Sequence, residues 1–199
     1  MRTPKFARLM ALALTAPALL AMTSSAAFMK LQPGSRLWVN GSSTVRSFEC
    51  SATMIDAKVE TSGPGTAVAV ANGAKAVSAV KVAIPAAKLD CKNGTMNGHM
   101  MKALKASEAP IIAFDLAGYD LAKSAAGTAV TLKGTLSIGG QTKPVTIAAL
   151  AKSEGTALRV TGTHEVRMTE FGLKPPTLMM GTMKVNELVK VSFDLQLTD

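Results

Sequence analysis

From Val130 to Ile138 the chain alternates without a break. Val130, Leu132, Leu136 and Ile138 share one side with Gly134, and Thr131, Lys133, Thr135 and Ser137 take the other. A period of two over nine residues places an apolar stripe on one face of a strand, and no helix can gather it. Gly139-Gly140 follows, a two-residue signal for a hairpin turn, and a return strand runs from Gln141 to about Ala151 with Pro144 near its start, where the missing N–H is tolerated. The same alternation recurs. Leu158, Val160, Val166 and Met168 share a side with Gly162 and His164, and Val189, Val191, Phe193, Leu195 and Leu197 share another. Val80, Val82 and Ile84 point inward from Lys75–Ile84, as do Ile112, Phe114 and Leu116 from Pro110–Leu121. The opening strands span about Arg36 to Glu60. There Phe48 and Cys50 have one parity and Ile55, Ala57 and Val59 the other, a slip that predicts a bulge or a bend.

One segment departs from this pattern. Met96, Met100, Ala103 and Leu104 fall at helical spacing, which predicts a short amphipathic helix over Thr95–Ser107 with Thr95 as its N-cap. Gly63-Pro64-Gly65 and Ala71-Asn72-Gly73 read as loops. Seven or eight antiparallel strands, each with one apolar face, make a sandwich or a closed barrel. Eight strands are enough to enclose one small ligand. A packed, empty core would show the same alternation.

The N-terminus has the plan of a secretory leader. Arg2, Lys5 and Arg8 precede the apolar run Leu9–Met22, and Ala26 and Ala27 offer small residues for cleavage. The run is shorter than the roughly 20 residues that span a bilayer. This divides the chain into a signal peptide over 1–27 and one barrel domain over 28–199, periplasmic or secreted. Export bears on the only two cysteines. Cys50 and Cys91 are an even pair in an oxidising compartment, which favours a disulfide. It would close a loop of about 40 residues and stabilise by ~3–4 kcal/mol on the chain-entropy model.

Several classes of chemistry have no footing here. The net charge is +9, but three of the cations lie in the leader and the rest are scattered among few aromatics. A nucleic-acid reader would show a basic stripe with stacking rings. The remaining positive balance suits a solvated surface, or at most a transient contact with an anionic membrane surface. Cys50, Cys91, His99 and His164 lack metal-site spacing. Ser42-Ser43-Thr44 has no His and Asp in a recognisable arrangement, and Asp115 and Glu170 form no evident acid–base pair. No catalytic residue, metal or cofactor is expected.

An ordered set of stretches carries a family resemblance. They are Leu37-Trp38-Val39-Asn40-Gly41-Ser42-Ser43-Thr44-Val45-Arg46, then Val82-Ala83-Ile84-Pro85-Ala86-Ala87-Lys88-Leu89-Asp90, then His99-Met100-Met101-Lys102-Ala103-Leu104-Lys105-Ala106. Pro110-Ile111-Ile112-Ala113-Phe114, the hairpin from Gly134 to Val145 and Phe171-Gly172-Leu173 follow in order. Together they resemble the YceI family of exported, lipocalin-like barrels over nearly all of the chain beyond the leader. The resemblance implies an all-β, eight-stranded antiparallel barrel with one short helix near one end. It also implies a polyisoprenoid or related lipid-like amphiphile as the small-molecule partner. Asn97-Gly98 stands before His99 where the family often has an acidic residue.

These readings select an apolar lining of Val82, Ile84, Met96, Met100, Leu104, Phe114, Leu116, Leu132, Leu136 and Val160, with Met96, Met100 and Leu104 closing one end. Met101, Met179, Met180 and Met183 are further candidates for a flexible wall, against ordinary core packing. Arg46 and His164 are the candidate head-group contacts; the bland alternatives are a strand-end arginine in water and a satisfied core histidine. Two functions remain open. The chain binds or sequesters a lipid-like amphiphile, or it is a ligand-free envelope protein acting through its surface, in a stress response or on a membrane complex. The sequence leaves the oligomeric state open.

Overall fold

The computed structural model describes residues 27–178 and 181–199. The expected leader up to Ala26, and Met179 and Met180, lie outside the described residues.

The first stretch of sheet is one long hairpin in four pieces. β1 (Ala27–Leu31) and β2 (Arg36–Ser42) run up one arm, and β3 (Ser47–Ala52) and β4 (Asp56–Thr61) run down the other. Gln32–Ser35 interrupts the first arm with a turn in which Gly34 takes φ 96°, a conformation open to glycine. Thr53–Ile55 interrupts the second, and this bend is the source of the parity slip between Cys50 and Ile55. It is held by Thr53, whose N–H and hydroxyl both donate to the Lys88 carbonyl.

After α1 (Thr66–Ala71) come β5 (Val77–Pro85) and β6 (Leu89–Asp90), then α2 (Gly94–Ala103). Four long strands follow as a meander: β7 (Ile111–Ser124), β8 (Gly127–Ile138), β9 (Gln141–Glu154) and β10 (Ala157–Arg167). Two short strands, β11 (Thr177–Leu178) and β12 (Met183–Lys184), pair with each other before β13 (Leu188–Thr198).

The sheet closes. Its order is β1-β4-β5-β7-β8-β9-β10-β13, and β13 pairs back onto β1. β2, β3 and β6 occupy the same ring positions higher up: β13 meets β1 at Leu197–Thr198 and β2 at Lys190–Asp194. The result is an eight-stranded antiparallel barrel, the expected architecture. Closure removes the open edges that would otherwise invite pairing with another chain. A bulge between Leu116 and Gly118 shifts the parity of β7, so Tyr119 and Leu121 continue the inward side.

Two apolar clusters pack opposite ends. One gathers Met29, Val59, Val130, Ala151, Leu158 and Leu197 around Ala67 and Val70 of α1. The other gathers Ile138, Val166, Met168, Phe171 and Leu173, with Ala103 and Leu104 at the end of α2. The helix over 66–71 is a correction to the sequence reading, which has only loops on either side of it. Its residues Thr66-Ala67-Val68-Ala69-Val70-Ala71 carry no polar stripe and no helical period. α2 is also shorter than expected and starts differently. Asn93, not Thr95, is its N-cap: the Asn93 Oδ1 accepts from the Met96 N–H at 3.0 Å. The helix ends at Ala103 because Lys105 takes φ 53°.

Candidate functional site

Between the two packed ends the barrel is hollow. Phe114, Leu132, Leu136, Val160, Phe193 and Leu195 point inward by parity, yet each is only half-buried. Their remaining exposure is to an internal cavity of about 750 Å³. That lies inside the range of about 300–1,000 Å³ typical of small-ligand sites.

All ten residues expected to line a cavity stand on its wall: Val82, Ile84, Met96, Met100, Leu104, Phe114, Leu116, Leu132, Leu136 and Val160. Arg46 and His164 stand there too. Met183 joins Met96 and Met100, whereas Met101 does not reach the cavity. Met96 and Met100 of α2, with Leu104 just after it, line the cavity at one end, where Leu104 packs beside the turn Met168–Phe171, and α1 packs into the opposite end.

Parity within strands could have found other wall residues, such as Leu37, Val39 and Phe48. What parity could not show is how three rings are seated. Phe48 lies over Gly41, Phe114 over Gly134 and Phe193 over Gly162, each glycine on the neighbouring strand. A Cβ at any of the three glycines would collide with the ring. The rings therefore lie against bare backbone, and the volume they vacate becomes cavity.

Most polar wall groups gather at one rim: Ser43 and Arg46 from the β2–β3 hairpin, and Asn93, Thr95 and His99 from α2 and its approach. The hairpin is tied to the β11–β12 segment. Ser43 bridges Val185, the Thr44 N–H donates to the Lys184 carbonyl at 2.9 Å, and Asn186 Nδ2 donates to Ser42 Oγ at 2.7 Å. α2 is tied to the wall by the Cys50–Cys91 disulfide. A polar network reinforces that tie: the Cys91 N–H donates to Asn97 Oδ1 at 2.8 Å, and Asn97 Nδ2 donates to Asp90 Oδ1 at 2.9 Å. The Asn97 amide and the Lys92 N–H on its carboxylate hold Asp90 below the usual carboxylate range. Asn97 thus fastens the start of α2.

His164 sits deeper, half-buried, opposite Val191. Its ring has no hydrogen-bond partner among the described residues. Burial pushes its pKa down, with only Glu165 opposing, which favours the neutral imidazole. Arg46 is exposed at the rim with its guanidinium in no ion pair among the described residues. An anion at the mouth would meet Arg46, and a neutral donor or acceptor would meet His164. Ser43 Oγ is occupied in its own turn, donating to the Arg46 carbonyl at 3.0 Å.

Residues 32–197 match the family model for the YceI-like domain. The chain belongs to the YceI-like family. Solved structures agree on the fold. Burkholderia cenocepacia BcnA is 19% identical with a TM-score of 0.64, over 81% of this chain and 95% of BcnA. A polyisoprenoid binding domain from Saccharophagus degradans, implicated in plant cell wall breakdown, is 13% identical with a TM-score of 0.61, over 85% of this chain and 97% of the domain. The Campylobacter jejuni YceI protein is 12% identical with a TM-score of 0.55, over 94% and 91%. At these identities the likeness is one of fold. No curated protein matches the chain. In this YceI-like chain no helix among the described residues is long and apolar enough to cross a membrane.

Proposed function

We propose that this protein is an exported carrier that holds the apolar tail of an isoprenoid or similar amphiphile inside its barrel. The observation that carries the reading is the hollow of about 750 Å³, walled by aliphatic and aromatic side chains and polar mainly at one rim. Transfer of a tail from water gains roughly 25 cal/mol per Å² of apolar surface. A few hundred Å² therefore contributes several kcal/mol before the cost of ordering the tail. The polyisoprenoid-binding relative from Saccharophagus degradans supports the ligand class. The basic leader and the Cys50–Cys91 bond support export to the periplasm or beyond.

Binding rather than turnover suits the polar groups present. Neither His99 nor His164 has a carboxylate bonded to its ring among the described residues, and Ser43 Oγ is held in its turn. The test is native mass spectrometry of protein purified from its own envelope, with extraction of the bound material. A co-purifying amphiphile, or saturable uptake of a fluorescent isoprenoid, is the expected result. An apo mass, no uptake and a stable protein partner would transfer the function to the surface. Robust hydrolytic turnover abolished by substitution at Ser43, His99 or His164 would replace the reading with an enzymatic one.

A further inference from the structure

Three segments rim the mouth of the cavity: the hairpin 43–46, the stretch 92–105 through α2, and the described residues 174–178 and 181–184 with β11 and β12. Between them they carry Arg46, Lys92, Lys102, Lys105, Lys174 and Lys184, and not one carboxylate. None of these six cations is in an ion pair among the described residues. Several carboxylates elsewhere at this end are engaged, whereas Glu165 on β10 and Glu108 are in no ion pair among the described residues. Glu49 accepts from Asn40, Asp90 from Asn97, and Glu187 and Glu170 hold Arg167. Glu108 comes after the second segment. At the hairpin tip, beside Arg46, Val45 is 66% exposed, the highest exposure of any large apolar side chain described. At the opposite end α1 has no charge of its own, Lys75 and Lys133 are paired with Asp120, and Lys123 and Lys152 stand apart in no ion pair among the described residues.

We infer that the mouth of the barrel is a docking face for an anionic phospholipid bilayer, with Val45 entering the headgroup layer and the six cations lying over the phosphates. Charge selects the occupant. A ring of unpaired cations with a projecting aliphatic residue matches a surface that is negative and apolar beneath. An apolar cavity that opens in the middle of that ring can take a tail without exposing it to water. The inference rests on the carrier reading, and the two can fail separately.

The test is co-sedimentation of the exported protein with vesicles of phosphatidylglycerol and phosphatidylethanolamine, against phosphatidylcholine alone. Binding to the anionic vesicles is expected at about 0.05 M salt and loss of most of it at about 0.5 M, as the Debye length shrinks. Lys102→Glu with Lys184→Glu should weaken partition by about tenfold or more, from two reversed charges at the surface. Val45→Asp should weaken it further. The far-end pair Lys123→Glu and Lys152→Glu should change little. Leu136→Trp, which narrows the cavity beside Phe114, should dock normally with weaker tail uptake. Equal binding to neutral vesicles, or equal loss from the far-end pair, would overturn the docking face. Uptake of a soluble isoprenoid probe by a protein that ignores anionic vesicles would also overturn it, and would leave the carrier standing. Docking without uptake by the parent protein would do the reverse.

Discussion

The ring of Phe193 lies on the bare backbone of Gly162, its direct partner across β10 and β13. A methyl group at Gly162 would strike that ring on one side, and the Ala148 carbonyl, 2.8 Å away, blocks escape on the other. Gly162→Val should therefore push Phe193 into the cavity or part the strands. A loss of about 1–3 kcal/mol is expected, read from urea denaturation, together with weaker uptake of an isoprenoid probe. Unchanged stability and uptake would show that the ring can sit elsewhere at no cost.

Leu136 faces the hollow near the end of β8, opposite Phe114. Leu136→Trp adds volume where there is space to receive it. The expected result is a loss of less than about 1 kcal/mol with weaker uptake; a packed core would instead lose about 1–3 kcal/mol. Melting temperature and probe binding on the same preparation separate the two.

Cys50 and Cys91 join the wall of β3 to the approach of α2. Thiol counting on the unfolded, unreduced protein should find none free. Cys91→Ser should cost about 3–4 kcal/mol on the chain-entropy model. Amide exchange should rise over 94–103, where Asn93 and Asn97 would hold the helix alone. A melting temperature unchanged by the substitution would show that those polar contacts suffice.

His164 binds a proton less readily in the folded barrel than in the unfolded chain, because burial lowers its pKa. The unfolded state then takes up more protons as the pH falls, so stability drops from about pH 7 to about pH 5. His164→Gln should flatten that part of the profile. The held-down carboxylates Asp90, Asp120 and Asp194 act at lower pH. Two parallel curves between pH 7 and pH 5 would remove His164 as the cause.

The strands and their inward faces were legible because strand periodicity is local. Val130–Ile138 or Val189–Leu197 need only their own side chains to define a face, and apart from the glycines Gly134 and Gly162 the residues named from that parity stand on the cavity wall. The break at Thr53–Ile55 was legible as a slip for the same reason.

What the tertiary structure alone decided depends on groups far apart in the chain. α1 has no amphipathic pattern of its own. It is helical where Asp199 meets the N–H groups of Thr66 and Ala67, and where the Thr128 hydroxyl donates to the Ala71 carbonyl at 2.8 Å. A six-residue helix is too short to persist without such contacts. Local spacing likewise favoured Thr95 as the cap of α2, whereas Asn97 and the Cys50–Cys91 tie hold the approach so that Asn93 meets the Met96 N–H. The alternation in sequence is also the same for a packed barrel and a hollow one. Which it is depends on how many rings fold back onto glycines across the sheet, and Gly41, Gly134 and Gly162 meet Phe48, Phe114 and Phe193 only once the strands are in register.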